Sequence, residues 1–174
     1  MTWLRTFLGD RRGAAAAEMA LMLPLLVTLL FVTFEGGYFL WSEHKVVKGV
    51  RDGARYAGRL PFSSYTGCPA SPTAPAAVAE PALADIQELT RTGKLSGGTP
   101  MIPGWENSHV TVTCDHVSGS GGLYQTNAGL APRVTVAAAV PYPSSPITGI
   151  AQVFGFDAGS ITLRASAQTA VMGL

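Results

Sequence analysis

Two groups of residues in this chain have the types that chemistry requires. The first is one carboxylate, Glu18, behind Arg11-Arg12-Gly13 and the alanines Ala14 to Ala17, and directly in front of the apolar run Met19 to Phe34. An ionisable group costs about 2.5–3.5 kcal/mol at the centre of a membrane helix on insertion scales, and one placed inside such a segment calls for a functional reason. The simplest is a cation supplied by another molecule, which is the chemistry of assembly. The second group is His109, Cys114, Asp115 and His116, all metal-ligating types. On a strand, Cys114 and His116 face one way while His109 and Asp115 face the other, so three ligands do not converge. No metal or cofactor is expected. Gly119 to Gly122 is followed by no Lys-Ser/Thr pair and no helix start, which makes it a flexible turn and not a phosphate cradle. No serine has a nucleophile's motif context. The downstream carboxylates Glu80, Asp85, Glu88, Glu106, Asp115 and Asp157 lack paired spacing. No catalytic residues are expected, and the chain does not read as an enzyme.

The elements that position Glu18 follow from the hydropathy pattern. Met19 to Phe34 carries no charge over about 24 Å of helix. With Gly13 to Ala17 added and Glu18 tolerated, the stretch reaches the ~20 residues needed to cross a bilayer. Pro24 lies inside it, which membrane helices tolerate better than soluble ones. Glu35 falls at the outer boundary, and Tyr38 and Trp41 fit an interfacial aromatic belt. The exit Phe34-Glu35-Gly36-Gly37-Tyr38 has no small-x-small cleavage site, so the segment reads as a retained anchor and not a removed secretory signal.

Orientation is contested by the charges. Arg5, Arg11 and Arg12 precede the segment, whereas Lys45, Lys48, Arg51, Arg55 and Arg59 follow it. A bare count favours the wrong end inside. Three considerations overrule it. The N-terminal charges are tight against the helix, the later ones spread along a further helix, and Cys68 and Cys114 favour an oxidising compartment for the bulk of the chain. A disulfide between them is the natural reading, with two unpaired buried thiols as the alternative. Net charge is +1 and charged residues are 13% of the chain, so no nucleic-acid footprint is present.

Past the anchor the pattern stays helical to about Leu60. Val46, Val47, Val50, Ala54 and Ala57 mark one face and Lys48, Arg51, Arg55 and Arg59 another, suited to lipid head groups, a neighbouring subunit or plain solvent. Pro61 ends it. Residues 61–82 read as a Pro/Ala-rich extended connection, and Leu83 to Leu95 as a short helix closed by Gly97-Gly98-Thr99-Pro100. The period then changes to two at 109–114, 133–140 and 161–171, predicting half-buried antiparallel strands. The loop 118–122 joins the first two, and Pro146 to Phe156 reads as a short helix or turn over the sheet. The fold class is α+β. The organisation is a leader at 1–13, a transmembrane helix at 14–42, an amphipathic extension at 43–60, a linker at 61–82 and an extracytoplasmic head at 83–174.

These residues resemble a prepilin-class protein, with a short basic leader ending in Gly, a cut, and an apolar helix whose fifth mature residue is Glu. Here the cut falls between Gly13 and Ala14, and Glu18 is fifth. More narrowly, the first sixty residues resemble the TadE-like family of tight-adherence (Flp) pilus assembly. The stretches that carry this are Arg12-Gly13, Glu18-Met19-Ala20-Leu21, Leu23-Pro24-Leu25-Leu26, Phe34-Glu35-Gly36 and Val50-Arg51-Asp52-Gly53-Ala54-Arg55-Tyr56-Ala57. They span about a third of the chain, and Met19 departs from the family's usual aromatic. The resemblance implies a pilin-like fold and a minor pseudopilin in the bacterial inner membrane, N-terminus cytoplasmic and head periplasmic or extracellular. It also implies as partners a prepilin peptidase, other pilins and the inner-membrane assembly platform. The competing reading is an uncleaved single-pass anchor that displays an adhesive or scaffold domain.

Overall fold

The computed structural model describes residues 13–70, 74–118, 121–143 and 161–173. The leader charges Arg5, Arg11 and Arg12, the loop residues Gly119 and Ser120, the expected turn at 146–156 and Asp157 lie outside the described residues. The chain divides into two compact units between Tyr38 and Phe39.

Helix α1 runs Ala14–Ala57 and contributes to both units. Its portion in the first unit is rich in Ala, Leu and Met, which lose little side-chain freedom in a helix. One 18-residue window there has a mean hydropathy of 2.2, and none of it is buried. The hydroxyls within it are satisfied locally: Thr28 Oγ1 donates to the Pro24 carbonyl and Thr33 Oγ1 to that of Leu30, both at 2.7 Å. Such back-bonding leaves the apolar helix with no hydroxyl that needs water.

In the second unit α1 buries one face, formed by Ser42, Val46, Gly49, Val50, Gly53, Ala54 and Ala57. The three- and four-residue spacing is that of one helix side. The helix stops at Ala57, three residues before the expected end. Arg59 N–H and Leu60 N–H then bond back to Tyr56 and Ala57 in a tightened last turn. The residue before Pro61 cannot stay comfortably in the α region, so the chain unwinds ahead of it.

A four-stranded antiparallel sheet of order β1-β2-β3-β4 lines the other side of the core. Its strands are β1 (Ala76–Ala77), β2 (Val110–Val117), β3 (Ala131–Pro141) and β4 (Thr162–Ala170). The three long ones coincide with the alternating runs. Val110, Val112, Cys114, Val134, Val136, Ala138, Val140 and Leu163 point inward, and Ile86, Ile102 and Trp105 complete the buried cluster.

The segment 61–82 corrects the expectation of an extended connection. Phe62–Tyr65 forms a 3-10 turn whose Tyr65 is buried, its hydroxyl donating to the Ala57 carbonyl at 2.8 Å. Cys68 is bonded to Cys114, with Cα atoms 5.4 Å apart. Ala76 and Ala77 then pair with Cys114 and Thr113, and Val78 is buried. A two-residue strand has no alternation to detect, and its place at the sheet edge is set by the disulfide and by two flanking backbone bonds, Val78 N to Val112 O and His116 N to Pro69 O.

Helix α2 (Ala82–Thr92) is shorter than the expected Leu83–Leu95 and buries Ala82, Ile86, Thr90 and Thr92. Gly93 (φ 75°) adopts the left-handed conformation and returns its N–H to Leu89 O at 2.8 Å, the glycine stop that ends many helices. Its approach to α1 depends on absent side chains. A Cβ on Gly49 would lie 2.3 Å from the Thr90 carbonyl oxygen, and one on Gly53 would lie 2.0 Å from Thr90 Oγ1.

Candidate functional site

The residues expected to carry assembly sit at the start of α1. Gly13 is exposed with nothing within 4 Å of where a Cβ would stand, and Ala14 is the first residue of the helix. Ala15, Ala16, Ala17 and Glu18 are exposed as well. Small side chains here let a second helix approach closely. Glu18 lies about 6 Å along the axis from Ala14, at four residues' rise. Around and beyond it the large apolar side chains are open: Met19 is 63% exposed, Leu21 81% and Leu25 69%. A continuous exposed apolar surface of that length is a lipid-facing or subunit-facing surface, since a solvated monomer does not sustain one.

The basic residues Lys48, Arg51, Arg55 and Arg59 are all exposed, on the side of α1 and its last turn away from the buried face. Arg55 approaches Asp52 at 3.7 Å, a solvent-screened contact of little energetic weight. Lys45 does something different. Its Nζ lies 3.5 Å from the Trp41 ring centroid and donates to the Met101 carbonyl at 2.9 Å.

Three of the four metal-ligating residues are committed elsewhere. Cys114 is in the disulfide, and His109 Nδ1 accepts the Glu106 N–H at 3.1 Å in a reciprocal cap. Asp115 pairs with Arg133 directly across the β2–β3 ladder, and Arg133 Nε donates to its Oδ1 at 3.0 Å. Arg133's hydrogen bonds hold the Asp115 carboxyl below the usual carboxylate range, against the opposing pull of burial. Reciprocally, Asp115 raises the Arg133 guanidinium. Among the described residues no three His, Cys, Asp or Glu side chains are grouped to hold an ion. A cavity of about 280 Å³ lies between 63–68 and 77–82 beside the disulfide, lined by Ser63, Tyr65, Val78 and Glu80 among others. Its tyrosine hydroxyl is engaged with Ala57 O, and burial drives the Tyr65 pKa upward.

The sequence reading passed over the Asp115–Arg133 pair and the Gly49/Gly53 seam. The seam did leave a signal, small residues four apart at 49, 53 and 57. The pair left none, because it depends on the strand register.

These elements define the class: a chain with, among the described residues, one helix long and apolar enough to cross a membrane, and a small disulfide-closed α+β head. Residues 13–55 match the family model described as TadE-like protein, a pilus-associated family. The match starts at Gly13, runs through nearly all of α1, and leaves the rest of the head outside. No curated protein and no solved structure matches the chain.

Proposed function

We propose that this protein is a minor pseudopilin of a tight-adherence (Flp, type IVc-like) pilus, cut by a prepilin peptidase between Gly13 and Ala14 and needed to initiate or assemble the filament. The observation that carries the reading is the TadE-like match over 13–55, which takes in the Gly13–Ala14 junction, Glu18 and the exposed apolar helix together.

The chemistry follows from the cut. Hydrolysis after Gly13 leaves an α-amino group on Ala14 with an ordinary pKa of about 8, hence cationic near neutral pH. Glu18 then has a partner, on its own chain or on a neighbour packed one step along. Two opposite charges about 4 Å apart attract by about 4 kcal/mol at an effective dielectric of 20, and desolvation takes back much of that. The pair therefore fixes register more than it adds stability. The alanines bring the helices close, and the exposed leucines and methionines supply packing area.

In this reading the N-terminus is cytoplasmic and the head lies outside the bacterial inner membrane, where an oxidising environment maintains the Cys68–Cys114 bond. Partners are the prepilin peptidase, other pilins, the inner-membrane platform and lipids. The test is complementation of a strain lacking the gene, with pili counted by electron microscopy. The wild-type chain restores pili and a Gly13→Leu chain does not. Full piliation by the Gly13→Leu chain would point to an uncleaved anchor instead.

A further inference from the structure

The exposed face of α1 beyond Trp41 carries charge that the head does not neutralise. Among the described residues Lys48, Arg51 and Arg59 make no ion pair, and Arg55 makes only the loose contact with Asp52. The described carboxylates from Glu80 to Asp115 are engaged within the head. Glu88 pairs with Arg91, Asp115 with Arg133, Asp85 lies near enough to Tyr56 to raise its phenol's pKa, Glu80 takes the Ala84 N–H, and Glu106 caps a turn. What this surface offers a partner is therefore positive charge, set in a line and not in a ring.

The length of the line decides between a membrane and a protein. Trp41 fits the interfacial belt, and Lys45 over its ring already supplies the cation at that level. Lys48 lies about 10 Å further along the axis and Arg55 about 21 Å, at 1.5 Å per residue. A tilt of about 40° still leaves Arg55 about 16 Å from that plane, two screening lengths at physiological salt. Head groups at Trp41 thus reach Lys48 weakly and Arg55 and Arg59 hardly at all. An acidic surface lying alongside α1 reaches all four.

We propose that Lys48, Arg51, Arg55 and Arg59 form a docking strip for a neighbouring protein subunit that presents carboxylates three to four residues apart along its own helix. This rests on the chain acting in pilus assembly. The TadE-like match extends past the membrane-crossing part through Arg55, so it includes most of the strip.

The experiment uses full-length chains with single reversals Lys48→Glu, Arg51→Glu, Arg55→Glu and Arg59→Glu, plus Arg55→Lys, in cells lacking the native copy. Membrane level, N-terminal processing and pilus number are read together. Expected are normal level and processing, at least tenfold fewer pili for Arg55→Glu, a comparable loss for Lys48→Glu and Arg59→Glu, and near-normal piliation for Arg55→Lys. Unchanged piliation in all four reversals overturns the strip. A loss confined to Lys48→Glu and fading toward Arg59→Glu also overturns it, in favour of lipid head groups. If the gene deletion itself leaves piliation intact, the pilus reading fails and the strip fails with it, a result distinct from either of the others.

Discussion

One helix, α1, lives under two regimes. Up to Tyr38 its hydropathic window buries nothing, and from Ala14 to Phe34 every side chain is exposed. From Phe39 it buries a narrow face and has glycine where other chain comes near. The same backbone is thus specified by composition in one half and by pattern in the other. In the first half, few positions need a particular side chain, since any large apolar residue serves; the charged exceptions are Glu18 and Glu35. In the second half, single atoms matter, because the space at Gly49 and Gly53 is already filled by Thr90.

Substitutions can break or sharpen this contrast. The largest effect is expected from Glu18→Ala. Insertion stays intact, the thermal unfolding of the head in detergent is unchanged, and piliation falls to the background of the deletion strain. Normal piliation in that variant would remove the pairing of Glu18 with an amine. Next comes Cys68→Ala. Its bond to Cys114 closes a loop of sequence separation 46, worth about 4 kcal/mol in the chain-entropy model. Denaturant titration followed by tryptophan fluorescence should show a loss of that order, with the apolar half still membrane-inserted. A change much below 1 kcal/mol would mean that the edge segment is held without the disulfide.

Gly53→Val comes third. The added atoms collide with the Thr90 side chain, and overpacking of this kind costs about 1–3 kcal/mol. The same change at Gly36, where nothing lies within 4 Å, should leave the unfolding midpoint unmoved. Equal effects at the two glycines would erase the distinction between the halves. The smallest effect concerns acid. Asp115 has its folded pKa lowered by Arg133, so its contribution is present above its unfolded value of about 3.9 and is lost as pH falls through the folded one. Asp115→Asn should therefore lower stability modestly at pH 7 and flatten the profile below about pH 4, so that variant and wild type converge in acid. Parallel acid limbs for the variant and the wild type would show that the pair is not linked to folding.

What was readable in the sequence divides along the same line. The apolar run, Glu18 at its mouth and the three alternating strands are written in composition and period, and they stand where expected. The features that escaped depend on partners distant in the chain. Ala76 and Ala77 become a strand because Cys68 ties their segment to Cys114. Asp115 meets Arg133 because β2 and β3 align in one register. Gly93 ends α2 earlier than the Gly97-Gly98 pair because its own positive φ suffices. The fit of Gly49 and Gly53 against Thr90 needs a helix crossing that neither segment states alone.

Cleavage at Gly13 is tested most directly by the intact mass and N-terminal sequence of the membrane-extracted protein, from cells with and without their prepilin peptidase. Cleavage after Gly13 would give a chain beginning at Ala14 only where the peptidase is present, with residues 1–13 retained where it is absent. The same uncut N-terminus in both would contradict it, and Glu18 would then lack the α-amino partner on which the proposed assembly depends.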